Sequence, residues 1–254
     1  MDTIYNSLKN KNVVITGGAS GIGEAIVECF HNQLSNIIFI DKDKTKGLDL
    51  EKRLKKLELN NEVIFLYCDL TSVESIKSTF KIIEDKFNTI DVLCNNAGND
   101  ERHSWDDLTS EVWDNCINEN LKHQYFCTQI GSKLMLKKNF GSIICIGTIA
   151  YLNGTTEMPG YTTAKSGLVG MVKTMSKILG KSNIRVNMIQ PGWVLTKKQL
   201  SKWINEESKK IIIEEQNLKK YLLPVDIAKS VLFFASEDSN KITNQIINVD
   251  AGWV

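Results

Sequence analysis

Short apolar runs alternate with longer stretches of helical periodicity along almost the whole chain. The apolar runs predict strands at 12–16, 36–40, 62–67, 90–94, 141–146, 185–189 and 245–249. The helical stretches lie between them, at 24–33, 44–59, 73–87, 110–138, 161–179 and 225–235. The strands are rich in β-branched residues and apolar on both faces, as buried parallel strands are. This alternation predicts one α/β domain over residues 1–254, a doubly wound parallel sheet with helices on both faces.

One segment, 196–221, breaks the alternation. It is polar and helical in its spacing, and no strand precedes it. An insertion of this kind after a late strand often covers a binding site, so we predict a lid over the substrate.

Composition and charge narrow the class of protein. The 254 residues are 42% hydrophobic and 24% charged, as in a soluble globular protein, and the net charge of +1 gives no reason to expect nucleic acid. No apolar stretch is long enough for a bilayer, and the N-terminus has no signal-peptide pattern. The six cysteines form no CxxC pair and no metal-ligand spacing, and several lie in apolar runs. We therefore expect a cytoplasmic protein without a membrane partner or a metal.

A glycine-rich loop follows the first predicted strand and opens into the first helix, with the sequence Thr16-Gly-Gly-Ala-Ser-Gly-Ile-Gly23. Gly17 permits a tight turn, Gly21 lets the backbone approach a pyrophosphate, and Gly23 lets helix and strand pack closely. The unpaired N–H groups at the helix N-terminus then face the phosphates. The position of this loop between a strand and a helix predicts a dinucleotide site.

The second strand ends at Asp41, which bears on the choice of nucleotide. A carboxylate there accepts hydrogen bonds from the ribose hydroxyls and repels a 2′-phosphate. The neighbouring Lys42 and Lys44 weaken that repulsion, whereas position 20, often basic in NADP enzymes of this type, is Ser20. The pattern favours NAD as cofactor and leaves NADP open.

Tyr161 and Lys165 are one turn apart on a predicted helix and share a face. A free tyrosine has a pKa of about 10, and a nearby cation lowers it by favouring phenolate. Taken alone, such a pair is common on exposed helices. Other motifs in the chain favour a catalytic role for this pair. The sequence Asn95-Asn-Ala-Gly98 follows the fourth strand, and Asn120 and Thr148 lie between that sequence and Tyr161.

Together these motifs resemble the short-chain dehydrogenase/reductase family. The resemblance runs from the glycine loop through Cys68-Asp-Leu70, Asn95-Asn-Ala-Gly98 and Pro191-Gly192 to Val249-Asp-Ala-Gly252. It implies a Rossmann fold with strand order 3-2-1-4-5-6-7, a nicotinamide cofactor and a homotetramer.

The resemblance also implies roles for single residues. Tyr161 is the expected general acid/base, Lys165 lowers its pKa and holds the nicotinamide ribose, and Asn120 anchors a water in a proton relay. Thr148 stands where the family carries a serine that orients the substrate hydroxyl. Because threonine keeps the hydroxyl but adds a methyl group, we expect an active enzyme with altered substrate fit, with an inactive protein as the alternative.

Cofactor contacts follow in the same way. Asp69 is expected to contact adenine, and Asn95 and Gly98 to line the cofactor cleft. Further contacts are implied for Ile22, Leu70, Ala97, Pro191, Gly192, Val194 and Thr196.

Some stretches are similar to a narrower group, bacterial L-fucose, D-galactose or L-arabinose 1-dehydrogenases, which oxidise the anomeric hydroxyl to a lactone. They are Asn99-Asp-Glu-Arg-His103, Asn120-Leu-Lys-His123, Pro191-Gly-Trp-Val194 and Val249-Asp-Ala-Gly-Trp-Val254. The substrate contacts expected from them are Asp100, Arg102, His103, Trp193 and Gln199. Two have simpler alternatives, because His103 could cap a nearby helix and Trp193 could pack in the lid. His31 and His123 are interpreted as structural and remote from the site.

The predicted function is NAD-dependent oxidation of a small alcohol, in particular the C1 hydroxyl of an aldose. One alternative is an NADPH-dependent carbonyl reductase of the 3-oxoacyl type, which Asp41 disfavours. The other is an NAD-binding sensor without turnover, an alternative that only Thr148 invites.

Overall fold

The computed structural model describes residues 3–254 and contains a parallel sheet of seven strands in the order β3-β2-β1-β4-β5-β6-β7. The strands are β1 Asn12–Thr16, β2 Asn36–Asp41, β3 Val63–Tyr67, β4 Val92–Asn95, β5 Gly141–Ile146, β6 Ile184–Pro191 and β7 Ile246–Val249. Every neighbouring pair is parallel. The predicted fold class and strand order are confirmed.

Nine α-helices accompany the strands in the described part of the chain. They are α1 Gly21–Asn32, α2 Lys44–Lys55, α3 Val73–Phe87, α4 Ser110–Ile117, α5 His123–Leu136, α6 Pro159–Leu179, α7 Lys197–Lys202, α8 Glu206–Glu215 and α9 Pro224–Ala235. Within residues 3–254, none of them is both long and apolar enough for a bilayer crossing.

The sheet separates two hydrophobic cores. Val13 and Ile15 of β1 pack on one face with side chains of α1, α2 and α9, whereas Val14 packs on the other with α3, α5 and α6. Successive side chains of a strand point to opposite faces, so a strand covered by helices on both sides must be apolar throughout. This explains why the strands appear in the sequence as continuous apolar runs.

The helix predicted over 110–138 is divided in the structure. A π-helical turn, Asn118–Lys122, separates α4 from α5 and carries the buried Asn120. Such turns are rare and occur often at functional sites. Apolar periodicity alone does not reveal this one, because the turn is only five residues long.

The insertion 196–221 forms α7 and α8. Its base is held by a parallel bridge between Val194 and Leu222, where the Leu195 N–H donates to the Leu222 carbonyl at 2.9 Å. The insertion therefore leaves the sheet and returns at one point, beside the carboxyl end of β6.

Candidate active site

A cleft of about 1050 Å³ runs along the carboxyl ends of the strands. It is lined by the segments that follow β1 through β6 and by the insertion. Because β1 and β4 are neighbours while their following helices pack on opposite faces, the cleft lies at the topological switch point of the sheet, where ligands of open α/β folds bind.

The glycine loop forms one end of the cleft, and its close approaches leave no room for side chains. A Cβ on Gly23 would lie 1.9 Å from the Gly17 carbonyl oxygen, and one on Gly17 would lie 2.7 Å from the Ala97 Cα. Asn96 braces the loop by donating to the Thr16 and Gly17 carbonyls at 3.1 and 3.0 Å. The loop thus presents bare backbone and the N-terminus of α1 to the cleft, which fits the pyrophosphate of a dinucleotide.

Asp41 lies beside this loop. One of its carboxylate oxygens accepts from the Ala19 N–H and the other from the Asp43 N–H, both at 3.0 Å. Lys42, which also lines the cleft, is paired with Glu119 at 3.0 Å, and that bond raises the pKa of the lysine. The Asp41 carboxylate is therefore held in place by the backbone, while the neighbouring Lys42 is paired with Glu119.

Most residues predicted to bind the cofactor line the cleft: Gly17, Ser20, Ile22, Gly23, Asp41, Asp69, Leu70, Ala97, Gly98, Pro191, Gly192, Val194 and Thr196. Asp69 is held by the Thr71 hydroxyl at 2.7 Å, a bond that keeps the pKa of the carboxyl below its ordinary value. Their roles as cofactor contacts remain predictions.

Two of the predicted contacts need correction. Asn95 has no exposed surface and donates to the Thr128 hydroxyl at 2.8 Å, so it supports the floor of the cleft, and Asn96 lines the cleft instead. A side chain ending a central strand points into a core as often as out of it, and the motif alone did not distinguish the two asparagines. Gly21 does not line the cleft either, and the Thr196 methyl group lies 3.4 Å from where its Cβ would be.

Tyr161 and Lys165 meet Thr148 in the middle of the cleft. Both lie in the first turns of α6, which begins at Pro159. The Lys165 ammonium is buried, donates to the Ile146 carbonyl at 2.9 Å and lies 5.8 Å from the centroid of the Tyr161 ring. Thr148, after β5, lies close enough to the Tyr161 hydroxyl for its own hydroxyl to lower the pKa of the phenol by hydrogen bonding. The residues predicted to be catalytic are therefore brought together.

The acid/base properties of the pair differ from the expectation. Burial raises the pKa of Tyr161 well above its ordinary value, the charge of Asp100 raises it further, and the hydrogen bond with Thr148 opposes both. Burial also lowers the pKa of Lys165 to about 8. Burial, and not the charge of Lys165, therefore has the largest effect on the pKa of the phenol in this structure.

Asn120 supports this centre from the π-helical turn. Its side-chain oxygen accepts from the Asn99 N–H at 2.8 Å, and its amide donates to the carbonyls of Asn99 and Cys116 at 3.0 and 3.1 Å. A Cβ on Gly98 would lie 3.0 Å from the Asn120 oxygen and 3.1 Å from the Lys165 Nζ. Glycine at 98 therefore lets the loop after β4 lie against both side chains.

The other end of the cleft is built from side chains of three distant segments. Asp100 forms an ion pair with Lys198 at 2.6 Å and accepts a hydrogen bond from the side-chain NH₂ of Gln199. The side-chain oxygen of Gln199 in turn accepts from the Trp193 indole N–H at 2.8 Å. These residues follow β4 and β6 and begin the insertion. The cluster shows that the insertion contacts the loop after β4 over the cleft.

Arg102 lies in the same end of the cleft, between two indole rings. Its guanidinium carbon is 5.2 Å from the Trp193 ring and 4.9 Å from the Trp203 ring, and it pairs with Glu157 from the loop after β5. Sequence reasoning missed Lys198, Trp203 and Glu157. Their charge and aromatic character were visible, but nothing local to the insertion indicated which of its residues face the cleft.

His103 does not line the cleft, so its prediction as a substrate contact is wrong. Its Nε2 accepts from the Gly160 N–H at 3.0 Å, and its backbone N–H donates to the Glu157 carbonyl at 2.9 Å. The imidazole therefore satisfies an unpaired N–H in the first turn of α6, directly before Tyr161. This is a capping role, on a helix distant in sequence.

The prediction that His123 is remote from the site is also wrong. His123 is buried at the first position of α5, lines the cleft, and lies close enough to Lys165 for the ammonium charge to act on it. Burial, with a smaller effect of Lys165, lowers the pKa of the imidazole to about 3, so it is neutral. His31 does lie away from the cleft, against the Asn61 amide at 3.1 Å.

Comparisons with known proteins agree with this architecture. A family model described as enoyl-(acyl carrier protein) reductase matches residues 17–254. The D-xylose 1-dehydrogenase of Caulobacter vibrioides is 41% identical over 250 residues, covering 98% of each chain. The probable galactose dehydrogenase of Rhizobium meliloti is 35% identical, covering 98% of this chain and 96% of that protein. The 3-oxoacyl-[acyl-carrier-protein] reductase of Chlamydia trachomatis is 33% identical over 96% of this chain and 98% of its own length.

Solved structures support the fold. The crystal structure of a putative gluconate dehydrogenase from Agrobacterium tumefaciens superposes with a TM-score of 0.93, over 99% of this chain and 98% of that one. The sequences are 24% identical, so this likeness concerns the fold alone.

Proposed function

The chain belongs to the short-chain dehydrogenase/reductase family and is an oxidoreductase, and on that premise we propose that it oxidises the C1 hydroxyl of an aldose with NAD as hydride acceptor. The observation that carries the proposal is the meeting of Tyr161, Lys165 and Thr148 between a nucleotide end and a polar, aromatic end of one cleft.

The proposed chemistry assigns one task to each residue. Bound NAD supplies the hydride acceptor at its nicotinamide ring. Thr148 and Tyr161 hold the C1 hydroxyl by hydrogen bonds. Tyr161, as the phenolate formed by prior loss of its proton to water, accepts the hydroxyl proton at Oη as the C1–H bond breaks. Lys165 holds the ribose of the cofactor, and its positive charge helps the phenolate to form. The insertion excludes water, which strengthens these electrostatic interactions.

NAD rather than NADP is proposed because of the charges around Asp41. Its carboxylate is fixed by two backbone N–H groups, and it would repel a 2′-phosphate. Lys42 is engaged by Glu119, so it offers little compensation. Asp69 and Leu70 are proposed to contact the adenine.

An aldose is proposed because two of the similar proteins are described as D-xylose 1-dehydrogenase and probable galactose dehydrogenase. The substrate end also has the character that a sugar requires. Asp100, Gln199 and Lys198 offer hydrogen-bonding groups, and Trp193 offers an aromatic surface for the apolar face of the ring.

The test is to follow NADH formation with a panel of aldoses, polyols and secondary alcohols, with NAD and NADP in parallel. We expect turnover with aldoses and NAD, the lactone as product, and a loss of about 10²–10⁴-fold in kcat for Tyr161→Phe. NAD binding without turnover of any alcohol would favour the sensor alternative.

Carbonyl reduction is the second candidate, and one observation favours it. Burial raises the pKa of Tyr161, and this favours the protonated phenol that would donate to a carbonyl oxygen. The 3-oxoacyl reductase among the similar proteins points the same way. Reduction of 3-oxoacyl thioesters with NADPH but not NADH, together with no oxidation of aldoses, would establish this candidate.

A cytoplasmic location and a homotetramer complete the proposal. The tetramer is expected from the family resemblance, and light scattering of the purified protein tests it directly. A stable monomer that turns over substrate would contradict it.

A further inference from the structure

The cationic side chains that line the cleft are, with one exception among residues 3–254, paired with carboxylates. Five cations line it: Lys42, Arg102, Lys165, Lys198 and Lys202. Their carboxylate partners are Glu119 for Lys42, Glu157 for Arg102, Asp100 for Lys198 and Glu101 for Lys202. Lys165, the exception, donates to a backbone carbonyl in the catalytic centre.

The ion pair of Asp100 and Lys198 is the one that acts on the proposed catalytic residues Tyr161 and Lys165. Burial opposes ionisation of Asp100, but the hydrogen bond and charge of Lys198 outweigh it and hold the pKa of the carboxyl below its ordinary value. The same carboxylate acts on Tyr161, whose pKa it raises, and on Lys165. A substrate held at the Tyr161 hydroxyl therefore lies within the field of a charged Asp100.

The second pair limits the reach of Arg102. Its guanidinium is stacked between Trp193 and Trp203 and pairs with Glu157, so its charge is compensated and its faces are covered. Its side chain is 20% exposed, whereas that of Glu157 is 59% exposed. Of this pair, the carboxylate is therefore the more exposed to solvent.

We propose that Asp100 and Glu157 are specificity-determining residues that mask Lys198 and Arg102, so that the cleft accepts an uncharged sugar and rejects its carboxylated or phosphorylated counterpart. The proposal rests on the proposed function, since it concerns the substrate of that site. An anionic substrate would have to lie beside a charged carboxylate or break an existing ion pair, and both are costly near Asp100, whose side chain is only 27% exposed. An uncharged sugar needs only hydrogen bonds, which Lys198, Gln199 and Asp100 retain spare capacity to make.

Matched sugars test the proposal, because their reacting carbon is the same and only a remote group differs. D-galactose is compared with D-galacturonate, and D-xylose with D-xylose 5-phosphate. The ratio of kcat/KM for the uncharged to the anionic sugar is measured for the wild type, Asp100→Asn and Glu157→Gln. Using a ratio cancels any change that a substitution causes in the acid/base group itself.

We expect the wild type to favour the uncharged sugar by at least about tenfold, or ~1.4 kcal/mol, and each substitution to lower that ratio by about the same factor. Adding Lys198→Met to Asp100→Asn should restore the ratio, because the unmasked cation is removed. Glu74→Gln is the matched control. It makes the same charge change but frees Lys77 on α3, outside the cleft, and should leave the ratio unchanged.

Equal use of both members of a pair by the wild type, or an unchanged ratio in both variants, would overturn the inference. The dissociation constants of the same sugars, measured by calorimetry with NADH present, separate this from the proposed function. Tighter binding of the uncharged sugars without turnover would contradict the proposed oxidation but support the masking. Binding of neither sugar would overturn both.

Discussion

At the nucleotide end of the cleft backbone lies against backbone, whereas at the substrate end side chains from three separate segments lie against one another. Gly23 and Gly17 have no room for a Cβ, and Asn96 fixes the loop through two carbonyls. By contrast, the pair of Asp100 and Lys198 and the stacked Arg102 depend on an insertion that touches the sheet at its base. The first end is thus rigid and defined by local sequence, and the second can be altered by exchanging a few side chains.

The largest effect is expected at the nucleotide end, from Gly23→Ala. The added Cβ would lie 1.9 Å from the Gly17 oxygen, and because that atom belongs to the backbone, the loop itself must move. We expect NAD affinity, measured by calorimetry, to fall at least about a hundredfold, or ~2.8 kcal/mol.

Gly170→Ala is the control for that substitution. Nothing lies within 4 Å of its Cβ position in the middle of α6, so alanine should preserve NAD binding and stabilise the fold by roughly 0.5–1 kcal/mol. Wild-type affinity in Gly23→Ala, with a normal unfolding temperature, would refute the assignment of the loop as a rigid phosphate site.

Between the two ends, Thr148 tests the catalytic centre. Thr148→Val keeps the shape but removes the hydroxyl that lowers the pKa of Tyr161, and we expect kcat to fall about a hundredfold. Thr148→Ser keeps the hydroxyl and should retain activity. Similar steady-state rates in the serine and valine variants would show that the hydroxyl has no part in the reaction.

The same contrast explains how far the sequence could predict the structure. The glycine loop and Asp41 lie at the ends of strands, and Tyr161 and Lys165 share one face of a helix. Their positions therefore depend on local geometry, which the sequence pattern reports. The buried strands could be predicted for the same reason. Their apolar runs report burial on both faces, which is a property of each strand by itself.

What the sequence did not predict depends on contacts between distant segments. His103 bonds to Gly160, and Arg102 lies against Trp203, which no periodicity encodes. The error at Asn95 and Asn96 concerned which of two adjacent amides points into the core. The roles assigned to individual site residues remain predictions until the variants are measured.

A smaller effect is expected from Asp41→Asn. Asparagine keeps an oxygen to accept from the Ala19 N–H but removes the charge that would repel a 2′-phosphate. We expect the ratio of kcat/KM for NAD to that for NADP to fall about tenfold, or ~1.4 kcal/mol. If the ratio stays constant, Asp41 does not select the nucleotide.

The smallest effect is a shift in pH dependence on Asp100→Asn. The charge of Asp100 raises the pKa of Tyr161 because it disfavours phenolate, and it raises that of Lys165 because it favours the ammonium. Without it, both pKa values fall, so the pH dependence of oxidation moves to lower pH. A profile of kcat/KM against pH measures this, and movement to higher pH would contradict the electrostatic coupling of the two ends.

The most direct test of the proposed reaction is the fate of a deuterium at C1 of D-xylose or D-galactose. If Tyr161 removes the proton of the C1 hydroxyl while hydride leaves C1, the label must appear on the reduced nicotinamide and the product must be the lactone. Mass spectrometry of the reduced cofactor and the sugar product decides this. Reduced cofactor without the label, formed from a sugar that keeps its deuterium at C1, would contradict oxidation at the anomeric carbon.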